Sequence, residues 1–228
     1  MSLEISKLDV AIERIGILRD INLSIPTGKM AGLIGHNGAG KTTLIRAIMG
    51  LLPPTAGTIT FKGQDITGKA SHQRAKMQIS YMPEDRRLIP DLTVTENMLM
   101  PAWANNIKDA DQRLKWIYSL MPEIADFGER KALQLSGGQQ KLVALGRALM
   151  PGRELLLLDE PFEGVAPVLA RRLSEVMADL RGEGLTVLIA ESDDTHSADL
   201  VDSTWRIERG AVSQGRKDPS ESSALTDY

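Results

Sequence analysis

The string Gly35-His36-Asn37-Gly38-Ala39-Gly40-Lys41-Thr42-Thr43 constrains this chain more than any other feature. It fits G-x-x-x-x-G-K-[S/T]. An apolar run precedes it (Met30, Ala31, Leu33, Ile34), and Leu44, Ile45 and Ile48 follow at helical spacing. Strand, glycine-rich turn and helix start are the context that a phosphate-binding loop requires. The glycines let successive backbone N–H groups converge on one small volume, and the helix adds its positive dipole end. In such a loop Lys41 would reach the β- and γ-phosphates, and the Thr42 hydroxyl would sit on Mg²⁺. The string therefore reads as a nucleotide site.

The rest of the composition bounds the reading. At 228 residues the chain is one large domain, or a domain with an inserted lobe. A net charge of -3 gives no footprint for general nucleic-acid binding. There are no cysteines, so disulfides and thiolate metal sites are excluded. The N-terminal residues lack the basic and apolar regions of a signal peptide. No apolar run approaches bilayer length. A cytoplasmic location is expected, with any membrane role exerted through partners.

Leu3, Ile5 and Leu8, then Ile21, Leu23 and Ile25, alternate loosely as strands, with Pro26 to Lys29 as a turn. Met30 to Ile34 reads as a strand buried on both faces, and Thr58 to Phe61 as a short strand. After a strand over Gln78 to Met82 comes a polar loop, Pro83 to Asp91, and then a mostly helical stretch. Thr93 and Glu96 form a capping box, while Leu114, Ile117, Tyr118 and Met121 share one helix face. Trp103 and Trp116 are expected in the core of this lobe, since aromatic side chains usually bury. The last third alternates strand and helix, which implies a parallel sheet with crossover helices. It ends in a hairpin turning at Arg209-Gly210 and a polar, frayed tail from Lys217.

Two further constellations carry chemistry. Leu155 to Leu158 is an apolar strand ending in Asp159-Glu160-Pro161. At the carboxyl end of a strand in an open α/β sheet, both carboxylates face the ligand crevice. Asp159 is placed to hold Mg²⁺ beside Thr42, and Glu160 to polarise the attacking water as general base. A helix-capping acidic pair is the plainer reading, but the phosphate loop in the same chain weighs against it. The other constellation is Leu135-Ser136-Gly137-Gly138-Gln139-Gln140, just before a helix. It makes a second anion-binding helix start. One chain cannot easily turn two such ends on one phosphate, whereas two chains facing head to tail can.

These three motifs, in this order and spacing, resemble an ATP-binding-cassette (ABC) ATPase, and the resemblance covers residues 3 to about 213. It implies an α/β P-loop NTPase fold: a RecA-like core, an antiparallel β subdomain, and a helical subdomain from about 85 to 150. Residues 1–228 would form a single ABC ATPase domain with a polar tail over 215–228. It also implies an ATP sandwich, in which Ser136, Gly137, Gly138 and Gln139 of one chain complete the other chain's site. ATP and Mg²⁺ are the implied cofactors. The implied partners are transmembrane permease subunits, a second ATPase subunit and, indirectly, an extracytoplasmic solute-binding protein.

Family members usually carry glutamine where this chain has Glu84, within Met82-Pro83-Glu84-Asp85-Arg86-Arg87. That block is similar to the smaller ATPase of branched-chain amino-acid importers, as are Arg113 to Tyr118, Gly146 to Met150 and Gly164 to Pro167. Glu84 can ligate Mg²⁺ or orient water, but it adds negative charge. Ser192 stands at the switch position, normally His; it can bond a phosphate oxygen but carries no positive charge. His36 is expected to be exposed and without a catalytic role. Ile12 falls where the adenine base is usually stacked on an aromatic ring, and no aromatic residue precedes Phe61. Weaker, less base-selective nucleotide binding follows. The loop Arg86, Arg87, Leu88, Ile89 is expected to face the membrane subunits. An ATPase serving lipid or polysaccharide export is the second reading; the Glu84 block and Gly164 to Pro167 argue against it. A soluble ABC protein acting on DNA or ribosomes would need a coiled-coil insertion or a second cassette, for which 228 residues leave no room.

Overall fold

The computed structural model describes residues 1–215; the expected tail lies outside the described residues. In chain order the elements begin with β1 (Leu3–Ile12), β2 (Ile15–Ile25), β3 (Met30–Ile34), α1 (Lys41–Ile48), β4 (Ala56–Phe61) and β5 (Gln64–Asp65). Next come α2 (Ser71–Lys76), β6 (Ile79–Met82), α3 (Val94–Asn105), α4 (Ala110–Leu120), α5 (Pro122–Ala125) and α6 (Gly137–Leu149). The chain closes with β7 (Leu155–Asp159), α7 (Pro167–Gly182), β8 (Thr186–Glu191), β9 (Ser203–Glu208) and β10 (Ala211–Gly215).

The strands form two sheets, one ordered β2-β1-β4-β5 and the other β10-β9-β3-β8-β7-β6. The first is antiparallel. The second is parallel except for β10 at its edge. Every residue of β3, β7 and β8 is buried, as expected for a parallel sheet covered on both faces. The pleat sends alternate side chains to opposite sides. Leu156, Leu158, Val187 and Ile189 enter a core shared with α6, α7 and the helical lobe. Leu155, Leu157, Leu188 and Ala190 enter another, shared with α1 and the antiparallel sheet.

Two local devices fix what surrounds the phosphate loop. Arg74 of α2 is fully buried and donates to the carbonyls of Ala47 (2.9 Å) and Ile48 (2.7 Å). It thereby supplies a donor to the Ile48 carbonyl at the end of α1 and a second one to the Ala47 carbonyl, which also accepts from the Gly50 N–H (3.0 Å). Burial lowers its pKa to about 10. The β9–β10 turn is the second device. Gly210 donates its N–H to the Ala39 carbonyl (3.0 Å) and accepts from the Arg19 N–H (2.8 Å). This turn therefore joins the loop to the antiparallel sheet.

The helical lobe behaves as its pattern indicates, with one correction. The Thr93 hydroxyl accepts from the Glu96 N–H (3.1 Å), and the Glu96 carboxylate accepts from the Thr93 N–H (2.7 Å). Met98, Ile117 and Met121 are fully buried. Trp103, expected in the core, is instead 55% exposed. Helix α3 buries Val94, Asn97, Met98 and Ala102, and position 103 falls outside that face. Trp116 is half-buried, with the Arg113 guanidinium 3.7 Å above its ring.

Candidate functional site

The carboxyl ends of β3, β7 and β8 lie side by side, with Ile34 paired to Glu191 and Asp159 to Ala190. The loops that leave these ends make the site. Gly35 follows β3 at a point where a Cβ would meet the Ile207 carbonyl oxygen at 2.2 Å, so only glycine fits there. Gly40 has φ +114 and starts α1, a conformation open to glycine and strained for other residues. His36, Asn37 and Gly38 are exposed, and Ala39 is half-buried. Lys41 is 5% exposed. Its ammonium donates to the carbonyls of Gly35 and His36 and pairs with Glu160 Oε1 at 3.0 Å. Of His36 it is the backbone carbonyl that takes part.

Asp159 and Glu160 reach the loop from β7. The Thr42 hydroxyl donates to Asp159 Oδ1 (3.1 Å) and the Tyr81 hydroxyl to Oδ2 (3.1 Å). Tyr81, not singled out in the sequence, arrives because β6 pairs with β7 in register. Burial, foremost, raises the Asp159 pKa against both hydrogen bonds, and it raises that of Tyr81 as well. Glu160 has φ 49, an uncommon backbone for a non-glycine residue. Its Oε1 accepts from the Ser192 hydroxyl (2.9 Å) and its Oε2 from the Ser192 N–H (3.2 Å). Ser192 Oγ also lies 2.9 Å from Asn37 Oδ1 of the phosphate loop. Ser192 thus bridges the carboxylate and the loop.

Glu84 lines the same cleft as Lys41, Thr42, Thr43 and Glu160. Desolvation by the cleft walls raises its pKa first, followed by the carboxylates of Glu163, Asp159 and Glu160. Behind Glu160, Glu191 is 4% exposed and its Oε1 finds no hydrogen-bond partner among the described residues. Burial pushes its pKa up to about 8, with help from Glu160 and Asp193. The residues at Thr42 and Asp159 fit Mg²⁺: they are hard oxygen donors in contact, in a region crowded with negative charge. Among the described residues no three His, Cys, Asp or Glu side chains are arranged to hold a metal. Such an ion would therefore complete its shell from phosphate and water. Bound there, it would neutralise charge on the β- and γ-phosphates.

Ile12 and the segment from Ser136 to Gln139 lie outside the lining of this phosphate cleft. Ile12 sits at the tip of the β1–β2 hairpin, paired with Ile15 and 38% exposed. The hairpin residue that lines the phosphate cleft is Ile17. Ser136, Gly137, Gly138 and Gln139 open α6 and are absent from the cleft lining. Ser136 Oγ accepts from the Gln139 N–H (3.3 Å) and Gln139 Oε1 from the Ser136 N–H (3.0 Å), a reciprocal cap. Arg86 reaches this helix start, donating to the Gly137 carbonyl and to Gln140 Oε1, both at 3.1 Å. Arg147 of α6 donates back to the carbonyls of Arg86 and Arg87. The loop after Glu84 is therefore clipped to α6. Ile89, at its far end, is 37% exposed.

The chain matches the ABC transporter family over residues 18–163. It is 33% identical, over 92% of its length and 90% of the relative's, to the high-affinity branched-chain amino acid transport ATP-binding protein BraG of Pseudomonas aeruginosa. It is 31% identical, over 86% of its length and 82% of the relative's, to the lipopolysaccharide export system ATP-binding protein LptB of Haemophilus influenzae. A crystal structure of a nucleotide-free ATP-binding cassette from an ABC transporter superposes with a TM-score of 0.82 at 28% identity. That match covers 94% of this chain and 91% of the other.

Proposed function

The chain belongs to the ABC transporter ATP-binding family, and we propose that it powers an importer of branched-chain or other hydrophobic amino acids, or of related small amides and carboxylates. The family hydrolyses ATP, and the convergence of Lys41, Thr42, Asp159, Glu160 and Ser192 at three adjacent strand ends supports that chemistry here. Lys41 and the N–H groups of residues 35–43 bind the phosphates. Thr42 and Asp159, with Glu84 in the cleft lining, would hold Mg²⁺. Glu160 takes a proton from the attacking water; the new bond forms at the γ-phosphorus and the bond to the ADP oxygen breaks. Ser192 keeps the Glu160 carboxylate aimed.

The chain acts as a single ATPase domain whose helical lobe faces the permease subunits, at the cytoplasmic side of a membrane. No helix among the described residues is long and apolar enough to cross that membrane itself. Ser136, Gly137, Gly138 and Gln139 complete the site of a second ATPase subunit, and Ile12 covers the base. Similarity to LptB favours lipid export as a second reading. Uptake of a labelled branched-chain amino acid, lost with this chain and restored with it, supports the importer. Unchanged uptake with a lipid-export defect supports the alternative. The mass of Glu160→Gln with and without ATP tests the pairing. A monomer that binds ATP is the expected result and points to a different ATPase partner, whereas doubling points to a homodimer.

A further inference from the structure

Helix α6 buries a charge for which the catalytic reading has no use. Lys141, Leu142, Val143, Ala144 and Leu145 are all buried, and the Lys141 side chain is 3% exposed. An ammonium at a core position is costly unless something offsets its lost hydration. Its Nζ donates to the Glu160 carbonyl (2.7 Å) and the Glu163 carbonyl (3.3 Å). No carboxylate oxygen of the described residues lies within ion-pair distance.

The charges that face Lys141 come from two segments, the loop after β6 and the loop after β7. Burial, foremost, and Arg86 lower the Lys141 pKa, and Glu163, Glu84 and Glu160 act against that fall by favouring its charged form. Glu84 in turn is set against Glu163, Asp159 and Glu160. Four carboxylates thus crowd one side of the cleft. Lys41 pairs with Glu160 at the loop, and Lys141 reaches the backbone carbonyls of Glu160 and Glu163.

The backbone of Glu160 is itself held in place. At φ 49 it occupies a region that a glutamate adopts only when its surroundings hold it there. Its N–H is tied to the Ala190 carbonyl (2.9 Å) and its carbonyl to Lys141 (2.7 Å). With both peptide groups anchored, the side chain is directed to Lys41 and Ser192.

We propose that Lys141 is a positioning residue: a fixed buried ammonium that is the counter-charge to Glu84, Glu160 and Glu163 and that holds the Glu160 carboxylate over the phosphate loop. This role rests on the ATPase reading for its catalytic half only; the charge pairing stands without it. Because Lys141 lies five residues after Ser136 on the same helix, it also ties that helix start to the chain's own general base.

The test is Lys141→Met, with Lys141→Gln as a second variant should the first not fold, made in the wild-type chain and in a Glu84→Gln/Glu163→Gln background. In the wild-type chain the substitution is expected to lower the melting temperature by about 4 °C. It should lower kcat for ATP about tenfold and leave KM within about twofold. In the background with fewer carboxylates the melting loss should shrink to less than about half. Equal melting losses in both backgrounds would overturn the counter-charge, and a change in KM with kcat intact would overturn the positioning. A wild-type chain without ATPase activity would sink the enzymatic reading, while the melting cycle would still decide the pairing.

Discussion

Lys41 and Glu160 close on each other across the mouth of the phosphate loop, with Nζ 3.0 Å from Oε1 and both side chains nearly buried. The group expected to bind phosphate is thus held by the group expected to activate water. ATP must separate them. Replacing Glu160 with Gln removes the competing charge, so nucleotide affinity should rise several-fold while kcat falls at least about 100-fold. Titration with a fluorescent nucleotide and a phosphate-release assay check the two halves separately.

Ser192 holds both Glu160 oxygens, one by its hydroxyl and one by its N–H. Ser192→Ala keeps the N–H bond and loses the hydroxyl bridge to Asn37. The carboxylate loses aim rather than charge, so kcat should drop about tenfold with little change in KM. Steady-state kinetics decide it; a rise in KM alone would place the hydroxyl on ground-state phosphate instead.

Glu191 makes stability depend on pH. Its folded-state pKa is raised to about 8 from 4.5, so between these values the folded protein keeps a proton that the unfolded chain has released. The unfolded state then binds fewer protons, and stability falls as pH rises across this window. The stabilisation is fully present below 4.5, and the loss approaches ~1.4 kcal/mol per pH unit. Glu191→Gln, always neutral, should flatten the fall. Melting curves at about pH 5 and about pH 8 compare the two proteins, and parallel slopes would count against it.

Gly210 has φ +78, and a Cβ there would lie 1.9 Å from the Ile17 carbonyl oxygen. Gly210→Ala must push β10 off β2 and strain the N–H bond to Ala39. A destabilisation of about 2–4 kcal/mol is expected, together with weaker ATP binding because the phosphate loop loses a tether. Thermal melts and nucleotide titration read both.

Ile12 gives the hairpin tip an aliphatic surface where the base is expected. ATP and GTP should bind with similar affinity, and Ile12→Tyr should tighten ATP binding by about 2–10-fold through stacking. A strong ATP preference in the unaltered chain would refute this.

The parts of the site that were legible in the sequence are those made by neighbours in the chain. The glycine pattern of residues 35–43, the apolar run ending in Asp159 and Glu160, and the Thr93 to Glu96 cap each announce a local conformation. Short, weakly periodic α2 escaped notice, and with it Arg74, because nothing beside an arginine in the sequence says that helix ends will surround it. Trp103 misled for the same reason: aromatic character gives the tendency to bury, but the phase of α3 decides which face is covered.

The sequence by itself determined the phosphate loop, the acidic strand end and the alternation that makes a parallel sheet, because those depend on backbone preferences over a few residues. Only the tertiary structure decided that Lys41 meets Glu160, that Tyr81 reaches Asp159, that Lys141 and Glu191 lie buried behind the base, and that Gly210 clasps Ala39. Those contacts join residues set far apart along the chain. They depend on strand order and register, which follow from packing the whole sheet between its two cores.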